Sequence, residues 1–373
     1  MRIALVHEFL NQLGGAERVL ESFLQIWPDA TLHVLIYDGE KTHGIFEAYS
    51  RRPSFLNSLP GAHTHHRWFL PAMPMAIEQF KFDEYDVVIS DSSSFAKAAK
   101  AKAKLHICYC HTPTRFLWTE SEDYISSQPY PFFVKWLARS FIPWLKRWDY
   151  KAAQRPQFFI ANSVNVQNRI KKYYQRDSIV IPPPVDTELF HPEGKKENYY
   201  FVASRLEPYK KIELVIQAFN ELGLPLKVAG SGTTSGKLRA MARSNIEFLG
   251  RVSDEELRRR YSEAQAFIFP AEEDAGIMVL EAQACGTPVI AYRAGGVLET
   301  VKEGVTGEFF NQQSAESLKA VLRTFDPGKY DPHTIREHAQ KFDKKIFKEK
   351  IKKFVEEKYN EFARSEATKQ SNN

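Results

Sequence analysis

The chain has 373 residues, more than one hydrophobic core comfortably serves, so two domains are expected. Its 43% hydrophobic and 26% charged residues are those of an ordinary globular protein, and a net charge of +5 is too weak to mark a nucleic-acid binder. Three cysteines are too few for a disulfide framework, Met1–Val6 reads as too short for a signal peptide, and no apolar run reaches the roughly 18 residues of a spanning helix. The expectation is a cytoplasmic protein, soluble or attached peripherally to the inner face of the cell membrane.

In chain order, "RIALV", "LHVLIY", "DVVIS", "LHICYC", "FFIANS" and "SIVIPP" read as buried strands, being short, apolar and rich in β-branched or aromatic residues. Amphipathic stretches such as "ERVLESFLQIW" lie between them. After the polar break "HPEGKKENY" the alternation restarts with "YYFVAS", "LKVAG", "IEFLG", "AFIFP" and "PVIAY". Strand–helix alternation repeated twice predicts an α/β protein of two doubly wound parallel-sheet domains, residues 1–190 and 195–342. Ligands of such sheets bind beyond the carboxyl ends of the strands, here in a cleft between the domains. A final helix over 343–364 carries one apolar stripe, Phe347, Ile351, Phe354, Val355, Tyr359 and Phe362. It packs on the body with a solvated basic face or, alternatively, meets an anionic lipid surface. Residues 365–373 read as disordered.

Four stretches carry candidate chemistry. Gly14 and Gly15 lie between the first strand and a helix, where bare backbone N–H groups can approach an anion; alone this is a weak signal, and it is not the Gly-x-Gly-x-x-Gly fingerprint of a nicotinamide enzyme. His111 in "YCHTPTRFLW" falls at the carboxyl edge of the first sheet, as a functional group or a structural hydrogen-bonder, while Cys108 and Cys110 beside it read as core. Arg205 and Lys210 in "SRLEPYKK" place two cations beside a helix start, which suits a diphosphate; the alternative is a solvated basic turn. In "EEDAGIMVLEAQACG", Glu273 and Glu281 stand eight residues apart, about 12 Å along a full helix. That is too far for a hydrolase pair and fits two separate grips on the hydroxyls of one long ligand. A solvated acidic loop competes at Glu273.

"PYPFFVKWLARSFIPWLKRWDY" interleaves aromatics with Lys135, Arg139, Lys146 and Arg147, and Pro143 is expected to interrupt any single helix there. Packing within the first domain is one outcome; contact of Trp136, Trp144 and Trp148 with lipid headgroups is the other. His63, His65 and His66 in "HTHHRW" have no partner motif that would make a metal site.

In this order and spacing, Gly14-Gly15, "YCHTPTRFLW", "IANSVNVQNRI", "IPPPVDTELF", "SRLEPYKK", "FLGRVSDEEL", Glu273-x7-Glu281 and "AGGVLETV" resemble glycosyltransferase family 4, retaining nucleotide-sugar transferases of GT-B fold. The pattern is most similar to bacterial mannosyltransferases of polysaccharide or lipid-linked glycan assembly. The resemblance implies two Rossmann-like domains facing a cleft, with the C-terminal helix returning to the first. It implies that Arg205 and Lys210 hold the diphosphate, Glu281 the nucleotide ribose, and Glu273 the sugar hydroxyls. Backbone N–H groups of Ala275, Gly276 and Ile277 would help to hold the sugar. His111 would contact the sugar near its reacting carbon, Gly15 would approach the diphosphate, and Arg251 and Val252 would line the base pocket. Ala275 departs from the family, which often has an aromatic residue there. The implied partners are a nucleotide-sugar donor (GDP-mannose, with a UDP-sugar as the alternative), a glycan or polyprenyl-linked acceptor and an anionic membrane surface. No nucleic acid, cofactor or metal is expected. A nucleotide-sugar epimerase is the rival from another class.

Overall fold

The computed structural model describes residues 1–102, 104–119 and 132–371. The chain divides into two compact units, Met1–Pro182 together with the segment from Lys348 on, and Pro183–Phe347.

Among the described residues the first unit holds seven strands, in the order β3-β2-β1-β4-β5-β6-β7. They are β1 (Ile3–Leu10), β2 (Thr31–Tyr37), β3 (Arg51–Pro53), β4 (Val87–Ser92), β5 (Leu105–Cys110), β6 (Phe158–Ala161) and β7 (Ile179–Val180). The second unit holds six, β8 (Tyr200–Ala203), β9 (Leu226–Ala229), β10 (Ile246–Gly250), β11 (Phe267–Phe269), β12 (Val289–Tyr292) and β13 (Gly307–Phe310), in the order β10-β9-β8-β11-β12-β13. Neighbouring strands run parallel in both sheets. Each sheet first grows one way from its first strand and then returns to that strand's other side. The order therefore reverses between β1 and β4 and between β8 and β11, and it is beyond the carboxyl ends at such a reversal that doubly wound sheets hold ligands.

The predicted strands are present because a parallel sheet covered on both faces needs continuous apolar runs; every residue of β4 and β5 is buried. Alternation divides them between two cores. In the second unit Phe201, Phe267 and Val289 face one cluster, and Val202, Ile268 and Ile290 the other. Two strands were not expected, β3 ("RRP") and β13 ("GEFF"). Both are short sheet edges that carry charged residues, and an edge needs only one buried face.

Helices α1 (Gly15–Ile26), α2 (Phe132–Ala152), α3 (Val164–Tyr174), α4 (Ile212–Leu222), α5 (Asp254–Glu263), α6 (Ile277–Ala284), α7 (Pro332–Gln340) and α8 (Lys344–Ser371) cover the sheets. The expected break at Pro143 does not occur: α2 runs through it. Pro143 is exposed, whereas Leu145 is buried and Phe141, Ile142 and Trp148 pack on the core, so tertiary packing outweighs the lost N–H bond. Helix α8 likewise continues past residue 364, through the stretch expected to be disordered, to Ser371. "ARSEATKQ" contains no glycine or proline to stop it; residues 372 and 373 lie outside the described residues. Within the second unit the two chain passages at its border are tied together. Lys344 N–H donates to the Val185 carbonyl at 2.9 Å, and the Thr187 hydroxyl to Asp343 at 2.5 Å.

Candidate functional site

At the β1/β4 reversal of the first unit, two apolar strands end in buried polar groups. The Glu8 carboxylate accepts hydrogen bonds from the Ser92 hydroxyl (3.0 Å) and from the N–H groups of Ser94 and Ala96 (2.8 Å each), and so holds the turn that follows β4. His7, one residue earlier, donates from Nδ1 to Asp91 Oδ2 at 2.9 Å. His111, just beyond β5, donates from Nε2 to the other oxygen of the same carboxylate at 2.6 Å. Its backbone N–H continues the ladder to the Ser92 carbonyl at 2.8 Å. Asp91 is wholly buried and His7 nearly so, while His111 keeps 12% of its side chain exposed. Burial pushes the Asp91 carboxyl up, but the charges and hydrogen bonds of His111 and His7 outweigh it and hold Asp91 below the usual carboxylate range. Burial likewise opposes a charged His7; the hydrogen bond and charge of Asp91, with Glu8 and Glu17, raise it to about 9.

The loop carrying His111 rests on a second buried polar set. Lys97 and Asp149, each 1% exposed, pair at 2.6 Å. Asp149 also accepts from the Thr114 hydroxyl (2.9 Å), Trp118 Nε1 (2.7 Å) and the Tyr174 hydroxyl (2.9 Å), and Lys97 donates to Thr114 and the Ser94 carbonyl. With every donor answered, the pair fixes the loop from His111 to Trp118. Cys108 and Cys110 are buried in the core with Phe159, Val166 and Ile170, as expected.

Gly14 caps α1 and Gly15 opens it. The carboxylate of buried Glu17 lies 3.0 Å from where a Cβ on Gly14 would stand. The start of this helix therefore already faces an acid, which competes with the anion expected there.

At the β8/β11 reversal of the second unit the groups are more open. Arg205, exposed beyond β8, lies 5.9 Å from the ring centre of Tyr209, and the Lys210 ammonium lies 5.2 Å from the same ring. Lys210 forms an ion pair with Glu273, which follows β11; their side chains are 11% and 24% exposed. Glu273 is not in a helix. It bridges to Gly295 in the loop after β12, and Gly296 N–H donates to its carbonyl at 2.8 Å. Gly295 has a positive φ of 77°, and a Cβ there would collide with the Glu273 carbonyl. Only glycine lets the two backbones approach this closely. Gly276, at φ 67°, turns the chain into α6, so the first N–H groups of that helix come directly after Ala275. Glu273 stands ahead of α6, which begins at Ile277, and Glu281 lies within it, four residues from its start. Glu281 is buried and accepts from the Tyr261 hydroxyl at 3.3 Å. Arg251 is exposed beyond β10, and half-buried Val252 packs on the core.

Most candidates thus lie at the two reversal points: Gly14, Gly15 and His111 in the first unit, and Arg205, Lys210, Glu273, Ala275, Gly276 and Ile277 in the second, with Glu281 one helical turn further on. Arg251 and Val252 do not, since they follow the edge strand β10. Sequence reasoning missed His7, Asp91 and Tyr261. Charged residues that close the runs "IALV" and "VVIS" were the available signal for the first two. Among the described residues no group of three or more His, Cys, Asp or Glu is placed to hold a metal ion. His63 contacts the Asn57 carbonyl, His65 packs on Trp68, and His66 accepts from Asn11.

Two doubly wound parallel-sheet domains in one chain, with these strand orders, define a protein of GT-B architecture. The chain belongs to the glycosyltransferases: residues 13–189 match the family described as Glycosyltransferase Family 4, and residues 185–342 that described as Glycosyl transferases group 1. It is similar to a GDP-mannose-dependent alpha-(1-6)-phosphatidylinositol monomannoside mannosyltransferase of Mycolicibacterium smegmatis, 33% identical over 172 residues, 38% of this chain and 45% of that one. An uncharacterized glycosyltransferase of Methanocaldococcus jannaschii is 27% identical over 209 residues, 55% of this chain and 59% of that one. The chain spans about half the length of these curated relatives. In fold it matches sucrose-phosphate synthase of Thermosynechococcus elongatus (TM-score 0.74, 16% identity, 96% of this chain and 100% of that one). It also matches HepE of Anabaena in complex with UDP (TM-score 0.71, 17% identity, 96% and 100%).

Proposed function

We propose that the protein moves a hexose with retention of configuration, mannose from GDP-mannose, onto a glycan or polyprenyl-linked acceptor of cell-surface polysaccharide. The observation that carries this is the Lys210–Glu273 pair beside Arg205 at the β8/β11 reversal. Breaking the bond from sugar to diphosphate leaves negative charge on the departing oxygens. Arg205 can fork two of those oxygens and Lys210, held in advance by Glu273, adds a point charge. The N–H groups at the start of α6 add their dipole, and no metal is assigned a step. Glu281, fixed by Tyr261, takes the ribose hydroxyls; Glu273 and the N–H groups of Ala275–Ile277 take the sugar. Arg251 and Val252 border the base, Gly15 approaches the diphosphate in competition with the Glu17 carboxylate that faces the same helix start, and His111 serves the sugar near its reacting carbon. GDP-mannose is favoured by the mycobacterial relative, whose name states that donor.

Thermal-shift screening against GDP- and UDP-sugars tests the donor. At 100 times its dissociation constant the true donor should stabilise the fold by about 2.7 kcal/mol. A response to UDP-sugars alone would replace the donor, and silence towards all of them would remove the assignment.

Contact with an anionic membrane surface is proposed through α2. Phe132, Trp136 and Trp144 are exposed on it, Arg139, Arg147 and Lys151 are exposed too, and its acidic residue Asp149 is buried. Trp144 lines one groove with Pro71, Pro74 and Met75, and Met75 is itself exposed. Residues 129–131 of the stretch expected to bind lipid lie outside the described residues. No helix among the described residues is long and apolar enough to cross a membrane. Flotation with phosphatidylglycerol vesicles should fall for Trp136→Ala/Trp144→Ala and for Arg139→Glu/Arg147→Glu; equal flotation of all three proteins would remove the contact.

A further inference from the structure

One buried carboxylate serves two imidazoles at the β1/β4 reversal, and the protons they share can be counted. An ionised carboxylate only accepts hydrogen bonds, so both nitrogens that face Asp91, His7 Nδ1 and His111 Nε2, carry protons. Among the described residues no partner faces the remaining nitrogen of His111, its Nδ1. A wholly buried carboxylate also needs a compensating positive charge, and either imidazole could supply it.

The surroundings decide between them. Glu8 on β1 and Glu17 on α1 act on His7 in addition to Asp91, so three acids favour a cation there. Both glutamates are themselves buried, where their influence is little screened. His111 meets Asp91 and, edge-on at 5.3 Å, the ring of Tyr109, and it alone of the three residues reaches the surface.

We propose that His7 and Asp91 are positioning residues for His111: His7 carries the positive charge of the set, and Asp91 pins the His111 proton on Nε2, leaving Nδ1 as a hydrogen-bond acceptor for a hydroxyl of the bound sugar. The raised affinity of His7 for its proton agrees with this count. Were the cation at His111 instead, both of its nitrogens would be donors, and it could accept nothing from the sugar. The inference rests on the assignment of His111 to the donor sugar, but the charge count itself does not need the sugar.

Ring-nitrogen spectra of the ¹⁵N-histidine-labelled full chain at pH 7 test it, with signals assigned from His7→Asn and His111→Asn. The expected result is a His7 ring protonated on both nitrogens and a His111 ring protonated on Nε2 alone. Asparagine at position 7 keeps a donor near Nδ1 but cannot carry the charge. In His7→Asn, His111 should gain a second proton, and the acid limb of the kcat/KM profile should move to higher pH. At pH 7, kcat should fall about 10²-fold while the KM for the donor stays within about twofold. A neutral His7 or a doubly protonated His111 in the unaltered protein overturns the proposal. So does a His7→Asn protein that merely melts earlier, with His111 and the acid limb unmoved. If His7→Asn does not fold, the spectrum of the unaltered chain decides alone. That spectrum needs no ligand, so a protein that binds no nucleotide-sugar would defeat the proposed function and still leave this count answered.

Discussion

The carboxyl edges of the two sheets use charge in opposite ways. In the first unit the ionisable groups are buried and answer one another: His7 with Asp91, Glu8 with the turn after β4, Lys97 with Asp149. In the second unit Arg205 is exposed, buried Lys210 pairs with a Glu273 that keeps 24% of its side chain exposed, and the geometry is set by backbone approach at Gly295 instead. Groups that have satisfied each other away from solvent can orient a neighbour but take up little new charge, whereas a pair open to solvent through one member, with an exposed cation beside it, can still accept an anion. Groups left near solvent lose less on meeting an incoming anion and can receive it. The first edge positions and the second receives.

That contrast can be broken at three points. The largest effect on stability should come from Lys97→Met, which leaves Asp149 charged and buried without its cation. A loss of about 3–5 kcal/mol is expected, a fall in Tm on the order of 10 °C by calorimetry. A shift below 2 °C would show that the first edge is not held by buried charge. Next is the pH response of His7. A histidine raised from 6.5 to about 9 on folding contributes stability that is fully present below pH 6.5 and lost as pH rises through about 9. Denaturant unfolding should therefore report a decline of about 3 kcal/mol across that window, absent in His7→Asn. The smallest effect is expected from Gly295→Ala, about 1–3 kcal/mol, since the φ of 77° strains any side chain and the Glu273 backbone must shift. Its mark is elsewhere: the affinity for a nucleotide-sugar should fall more than stability does, because Glu273 no longer holds Lys210. Unchanged affinity would separate the glycine from the site.

Much of the fold was legible in the sequence because parallel strands covered on both faces must be short apolar runs. β3 and β13 were not, since "RRP" and "GEFF" at sheet edges have no such need. Pro143 misled because propensity was weighed without the packing of Leu145 and Trp148 that carries α2 through it. In the second unit the candidates lie on two short stretches, 205–210 and 273–281, and local spacing exposed them. His7 and Asp91 stand 84 residues apart and meet only because β4 pairs beside β1, with Val6 opposite Ser90. Nothing local records that adjacency.

The claim that the second edge receives a departing diphosphate is tested most directly by the turnover of Arg205→Ala/Lys210→Ala with its best donor. Loss of one such group typically costs about 10²–10³ in rate, so the double variant should retain less than roughly a thousandth of kcat while melting within a few degrees of the unaltered protein. Turnover preserved within tenfold, in a protein that has lost both cations, would contradict the account.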